Sequence, residues 1–222
     1  MNPDHRPISR TVFPLPIGRR LLIIPPTLQV DPKPDQILLR MDPGGAFGDG
    51  AHPTTQLCLA AIERHLPKLG QDQNAHAKTG WAMIDLGTGT GILSIAAAKL
   101  GAEPILAVDI DADSVEVARA NALHNQVGEQ IRMEQGSLAH VLAGRFGPTQ
   151  APVVVANILA HVLVDFFAQG LTETVAPGGL LLLSGVLRTQ GPEIRARLGW
   201  HGLTLVAEER QGEWLCLIAR RP

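Results

Sequence analysis

From Trp81 onward, short runs of consecutive apolar residues alternate with longer segments in which apolar positions recur every three or four residues. A brief apolar run bounded by turn residues suits a strand covered on both faces, whereas the longer spacing marks a helix with one face turned inward. "WAMIDL" predicts a buried strand and "ILSIAAAKLGA" a helix ending at Gly101. "PILAVDID" predicts a second strand, and "ADSVEVARANALHNQ" a helix capped near Asp111 or Asp113. "IRMEQGS" and "APVVVANIL" predict the third and fourth strands, "HVLVDFFAQGLTETV" a helix, and "PGGLLLLSGVL" a turn followed by a fifth strand. A last helix falls in "TQGPEIRARLGWHG", and "LTLVAEERQGEWLCLIARR" predicts two strands joined by a turn at Gln211-Gly212. Strands alternating with helices make a parallel sheet with helices on both faces. The expected fold is therefore α/β, a doubly wound, mostly parallel, seven-stranded sheet. Its C-terminal antiparallel hairpin inserts one strand against the common direction.

The pattern before Trp81 is different. Residues 1–45 are proline-rich and contain "GRRLLIIPP", which predicts one strand or hairpin laid against the larger body. Pro14, Pro16, Pro25 and Pro26 favour an edge or an extended arm, because proline cannot donate to a sheet ladder. We expect 1–45 to be an extension rather than an independent domain, and 46–222 to be the main domain. "AFGDGAHPTT" reads as a loop, "TTQLCLAAIERHL" as a helix with a threonine able to cap it, and "PKLGQDQNAHAKTG" as an exposed connection.

Composition narrows the functional classes. A chain of 222 residues can bury one full core. A net charge of −2 gives no basic field, so direct nucleic-acid binding is not expected. Cys58 and Cys216 form neither a disulfide framework nor a CxxC pair, and the histidines show no metal spacing, so no metal is expected. "MNPDHRPISR" has no apolar signal region, and "LLII" is too short to span a bilayer. These features predict a cytoplasmic protein without a membrane partner. Trp81, Trp200 and Trp214 read as packing residues.

"IDLGTGTGIL" carries the chemistry. A strand, a glycine loop and a helix in that order can present backbone N–H groups to a polar ligand. Asp109 ends the next strand, where a carboxylate accepts hydrogen bonds from ribose hydroxyls. Together they read as a nucleoside site. The dinucleotide pattern is G-x-G-x-x-G, whereas Gly87, Gly89 and Gly91 are spaced G-x-G-x-G. Asp85 at the loop mouth would repel a pyrophosphate but could accept hydrogen bonds near the cationic amino-acid end of S-adenosylmethionine. A nicotinamide-dependent enzyme would need an acid or base after the fourth strand, where only His161 is offered. A nucleoside-binding module without catalysis is the reading from another class.

"DLGTGTG", Asp109 and the terminal hairpin resemble the class I S-adenosylmethionine-dependent methyltransferases. With "DPGGAFGDGAHPTT", "VVVANIL", "GGLLLLSGVL" and "GEWLCLIARR" the resemblance narrows to the ribosomal protein L11 methyltransferase family, which methylates amino groups of that protein. The resemblance implies S-adenosylmethionine as cofactor and a protein amine, such as one on ribosomal protein L11, as substrate, with another protein lysine or a small amine as the alternatives. It implies cofactor contacts from Thr55, Gly87, Asp109 and Asn157, with Asp85, Gly89 and Gly91 carried over from the wider class. Ile110 follows Asp109 in the same strand end, and Ser137 falls near the adenine. Phe47 and His52 would cover the site, and Asn157 would orient the amine. Read without the family, Asn157 could instead cap the following helix, and His52 could be an ordinary loop residue. The family also carries an N-terminal recognition domain for which 1–45 is too short, and Asp49 stands where the family commonly has threonine.

Overall fold

The computed structural model describes residues 13–42, 44, 46–69 and 82–222. Trp81 and most of the expected connection lie outside them. Ten strands and six helices make up the two sheets and their covering layers among these residues.

The main sheet begins with β4 (Met83–Leu86), β5 (Ile105–Asp109) and β6 (Ile131–Gln135). It continues through β7 (Ala151–Asn157) and β8 (Val175–Leu187) to the hairpin β9 (Thr204–Gln211) and β10 (Trp214–Arg220). The spatial order is β6-β5-β4-β7-β8-β10-β9. β4 pairs in parallel with both β5 and β7, so the chain winds outward in one direction and then in the other. That reversal places a crevice at the carboxyl ends of β4, β5 and β7, where open α/β sheets bind ligands. β10 runs antiparallel to both β8 and β9, as the terminal hairpin predicted.

Successive residues of the central strands enter opposite layers. Met83 and Ile105 pack with α1 (Pro53–Leu69), α2 (Ile92–Lys99) and α3 (Ala112–His124). Ile84 and Leu106 pack with α4 (Leu138–Leu142), α5 (Ala160–Gln169) and α6 (Gly191–Trp200). Both faces are covered, which is why these strands read as unbroken apolar runs. Asp111 caps α3 by accepting the Asp113 and Ser114 N–H groups.

The N-terminal segment corrects the single strand or hairpin expected there. It forms a small sheet of its own from β1 (Leu15–Ile17), β2 (Leu21–Ile24) and β3 (Ile37–Arg40). β1 and β2 are antiparallel, and β2 and β3 are parallel. Ile17, Leu21, Ile23 and Leu39 are buried in the same core as α1 and α2. Two long-range polar anchors hold the segment. The Glu63 carboxylate accepts the Arg19 and Arg20 N–H groups at 2.7 and 2.8 Å. Asn121 on α3 and Asn125, which caps that helix one turn later, take the backbone of Asp42 and Arg40 as a neighbouring strand would.

Three other expectations change. α1 starts at Pro53, so His52 and not a threonine sits at its head, and α1 runs to Leu69, into the expected connection. α4 was not foreseen; its five residues are too few to show a period. Trp200 is 77% exposed at the end of α6 and is no packing residue.

Candidate functional site

The carboxyl ends of β4, β5 and β7 open onto a cavity of about 540 Å³, a size usual for small-molecule sites. Phe47, His52, Gly87, Gly89, Asp109, Ile110, Ser137 and Asn157 line it, so eight expected residues meet there. Thr55, Asp85 and Gly91 do not line it. A larger groove of about 880 Å³ lies along α3 and β6 by Leu123 and Met133, away from these strand ends, and holds none of the expected residues.

The glycine loop is closed upon itself. Gly87 and Thr88 donate their N–H groups to the Val108 carbonyl at 2.8 and 3.1 Å. Gly89 N–H donates to Asp109 Oδ2 at 2.9 Å. Thr90 N–H donates to the Phe47 carbonyl at 3.0 Å, and Gly91 N–H to Thr88 at 2.9 Å. The N–H groups from 87 to 91 are thus engaged within the protein. This corrects the expectation of a loop presenting free donors, and it leaves poor provision for a pyrophosphate. What the loop glycines permit is close approach of neighbouring segments. A Cβ on Gly87 would lie 2.6 Å from Ile158 Cγ2, and one on Gly89 would strike the Phe47 carbonyl oxygen. Gly91 serves helix packing instead, since a Cβ there would lie 3.0 Å from Ala118 Cβ on α3.

Asp85 lies behind the loop with no exposed surface. Its Oδ2 accepts the Thr88 and Ser94 hydroxyls at 2.8 and 2.7 Å, and its Oδ1 has no partner among the described residues. Burial pushes its pKa up to about 6, with Asp109 adding to the rise and the two hydroxyls opposing it. The sequence placed Asp85 against the cofactor; depth in the sheet places it under the loop. Asp109 is the carboxylate on the cavity wall. Its Oδ1 accepts Asp111 N–H at 3.1 Å, and carboxylate lone pairs remain for further donors.

Asn157 does not cap α5, whose N-cap is Leu159 without a side-chain bond. Asn157 Nδ2 donates to Thr55 Oγ1 at 3.4 Å, and Oδ1 is buried without a partner among the described residues. Thr55, fully buried, therefore reaches the site through Asn157, while Thr54 lines the wall. Ser137 heads α4 in a reciprocal arrangement with His140, its hydroxyl 3.2 Å from His140 Nδ1. His161 is exposed on α5 and is not part of the wall.

The loop before α1 closes one side. Thr90 Oγ1 donates to the Gly48 carbonyl at 2.6 Å, which ties that loop to the glycine loop. The His52 ring meets Phe47 edge-on at 5.4 Å and Trp214 at 4.8 Å. Burial lowers the His52 pKa, with Asp49 opposing the shift. Phe47, Ile110 and Leu159 are 57%, 74% and 59% exposed and form an apolar rim. The sequence reading missed Trp214, Val162 and Phe166 as wall residues. A signal for Trp214 existed: the first residue of an antiparallel strand lies at the carboxyl edge of its parallel neighbours. Among the described residues no cluster of metal-ligating side chains occurs, and no helix is long and apolar enough to cross a membrane.

A family model described as ribosomal protein L11 methyltransferase (PrmA) matches residues 8–222. A ribosomal protein L11 methyltransferase of Chloroflexus aurantiacus is 40% identical, with 94% of this chain and 66% of that protein covered. One of Geobacter metallireducens is 43% identical, with 92% and 62% covered. The chain thus spans just under two thirds of the length of these curated relatives. The crystal structure of a ribosomal protein L11 methylase from Lactobacillus delbrueckii superposes with a TM-score of 0.76 at 36% identity, covering 92% of this chain and 97% of that one. Magnesium protoporphyrin IX methyltransferase from Synechocystis, solved with bound S-adenosylmethionine, shares the fold at a TM-score of 0.56 and 21% identity, over 76% of this chain and 82% of that one.

Proposed function

The chain belongs to the ribosomal protein L11 methyltransferase family, and from that premise we propose that it transfers methyl groups from S-adenosylmethionine to amine nitrogens of a protein, with ribosomal protein L11 as the first candidate. One observation carries the reading: a single cavity is lined by both the Asp109 carboxylate and Asn157, whose buried Oδ1 has no partner among the described residues. The residues fit the cofactor. S-adenosylmethionine has ribose hydroxyls for Asp109 and no phosphate for a loop whose donors are spent. When bound, it supplies a methyl group on a sulfonium, an alkyl electrophile with its leaving group already in place.

The protein's part is positioning. Asp109 would hold the ribose, while Ile110 and Leu138 would enclose the base next to Ser137. Gly87 and Gly89 let Ile158 and the Phe47 carbonyl pack against the loop that borders the cavity. Asn157, fixed through Thr55, offers Oδ1 to an amine N–H and so turns the nitrogen lone pair toward the site. The amine must be neutral, and an unperturbed lysine titrates near 10.4. Leu159, Val162 and Phe166 surround it with apolar surface, which disfavours the ammonium form. Residues 1–45 count as an extension of the catalytic domain, since the strands described between Leu15 and Arg40 share that domain's core.

The test is transfer of a tritiated methyl group from S-adenosylmethionine to purified ribosomal protein L11. Asn157→Ala is expected to lower kcat by about 30-fold, with S-adenosylhomocysteine affinity within about threefold, as for one lost hydrogen bond to a developing charge. Equal losses in turnover and affinity would remove the orienting role of Asn157, and no label on L11 would remove the substrate.

A further inference from the structure

We propose that His52 is a neutral hydrogen-bond donor for the α-carboxylate of the bound cofactor. The inference rests on the cofactor reading above and adds a positioning residue to it. A carboxylate entering this cavity meets no cation, because among the described residues the wall holds no lysine or arginine. Its partner must be an uncharged donor, and most donors on the wall are already engaged. Ser114 Oγ donates to Asp111 Oδ2 at 2.7 Å. The Ser137 hydroxyl is paired with His140, and Asn157 Nδ2 with Thr55.

The His52 ring and the Trp214 indole N–H that it packs against remain, and the surroundings of His52 fix its proton. The Thr54 backbone N–H, which can only donate, points to His52 Nδ1 at 3.4 Å. Thr54 Oγ1 lies 2.7 Å from the same nitrogen, and Thr54 is buried. Nδ1 is therefore an acceptor, and the neutral ring carries its hydrogen on Nε2. Burial favours that neutral form. Phe47 and Trp214 hold the ring from two sides. Nε2–H has no protein partner among the described residues. Such a ring has no free lone pair for a substrate proton, so His52 is a donor and not a general base.

Position selects the carboxylate as the acceptor. With ribose at the end of β5 and amine at the end of β7, the amino-acid tail would fall between them, at the end of β4, the strand that leads into the glycine loop. There the His52 loop crosses the glycine loop through the Phe47 and Gly48 carbonyls.

The test compares S-adenosylhomocysteine with its analogue lacking only the α-carboxylate, by calorimetry, in three proteins. His52→Gln keeps an N–H near the Nε2 position; His52→Phe keeps a ring between Phe47 and Trp214 but donates nothing. Wild type and His52→Gln are expected to prefer the carboxylate compound by about tenfold or more, and His52→Phe to bind the two within about threefold. Full preference retained by His52→Phe, preference lost by His52→Gln as well, or equal weakening of both compounds in His52→Phe would overturn the proposal. Failure of wild type to bind S-adenosylhomocysteine would overturn the cofactor reading, and the role of His52 with it.

Discussion

Asp85 and Asp109 stand on neighbouring strands, yet only one meets the cavity. Asp85 pairs with Ala107, which places Asp109 two residues further along, about 7 Å nearer the carboxyl edge. At the deeper position the carboxylate is sealed under the loop and takes the hydroxyls of Thr88 and Ser94. At the edge it fixes the loop through Gly89 N–H and faces the cavity. Depth within the sheet, not residue type, separates a structural carboxylate from a cavity-facing one.

The strongest way to break this comparison is truncation of each carboxylate. At pH 5, Asp85→Ala should cost about 4 kcal/mol in urea unfolding, since it leaves two buried hydroxyls without an acceptor and opens a void. Asp109→Ala should cost about 1 kcal/mol, the loss of a modest backbone interaction. Equal costs would erase the distinction.

A pH series sharpens it. The folded state holds the Asp85 proton more tightly than the unfolded chain, with a pKa raised from 3.8 to about 6. Its contribution is whole below the unfolded value and is lost as pH rises through the folded one, by about 3 kcal/mol in all. The stability of Asp85→Asn relative to wild type should therefore rise between about pH 4 and pH 7 and level off above. A flat difference across that window would mean that Asp85 is ionised throughout.

A smaller effect than that of Asp85 concerns the loop between them. Gly89 adopts φ +54° against the Phe47 carbonyl. Gly89→Ala should cost about 2 kcal/mol, read as a lower melting temperature, because it combines a left-handed backbone with a blocked approach. An unchanged melting temperature would show that the pre-core loop does not depend on this contact.

The same contrast explains what was legible in the sequence. Apolar runs covered on both faces announced the central strands, and the turn at Gln211-Gly212 announced the hairpin. Asp109, Asn157, Gly87 and Gly89 could be placed at the cavity because strand ends and tight turns are local features, whereas Gly91 packs against α3. Asp85 was misplaced because the choice between facing a ligand and lying under a loop depends on register with β5, which no local pattern carries. The spent N–H groups of 87–91 depend on carbonyls of Val108 and Phe47, distant in sequence. Trp214 reaches the wall only through insertion of β10 beside β8, and the small N-terminal sheet stands on side chains of Glu63, Asn121 and Asn125 that read as ordinary helix positions.

The most direct test is calorimetric titration of S-adenosylhomocysteine into Asp85→Asn and Asp109→Asn at pH 7. The account predicts that Asp85→Asn binds within about threefold of wild type, and that Asp109→Asn loses about 30-fold or more, as for charged hydrogen bonds to ribose hydroxyls. Comparable losses in both would place Asp85 against the ligand and contradict the division of roles between the two strands.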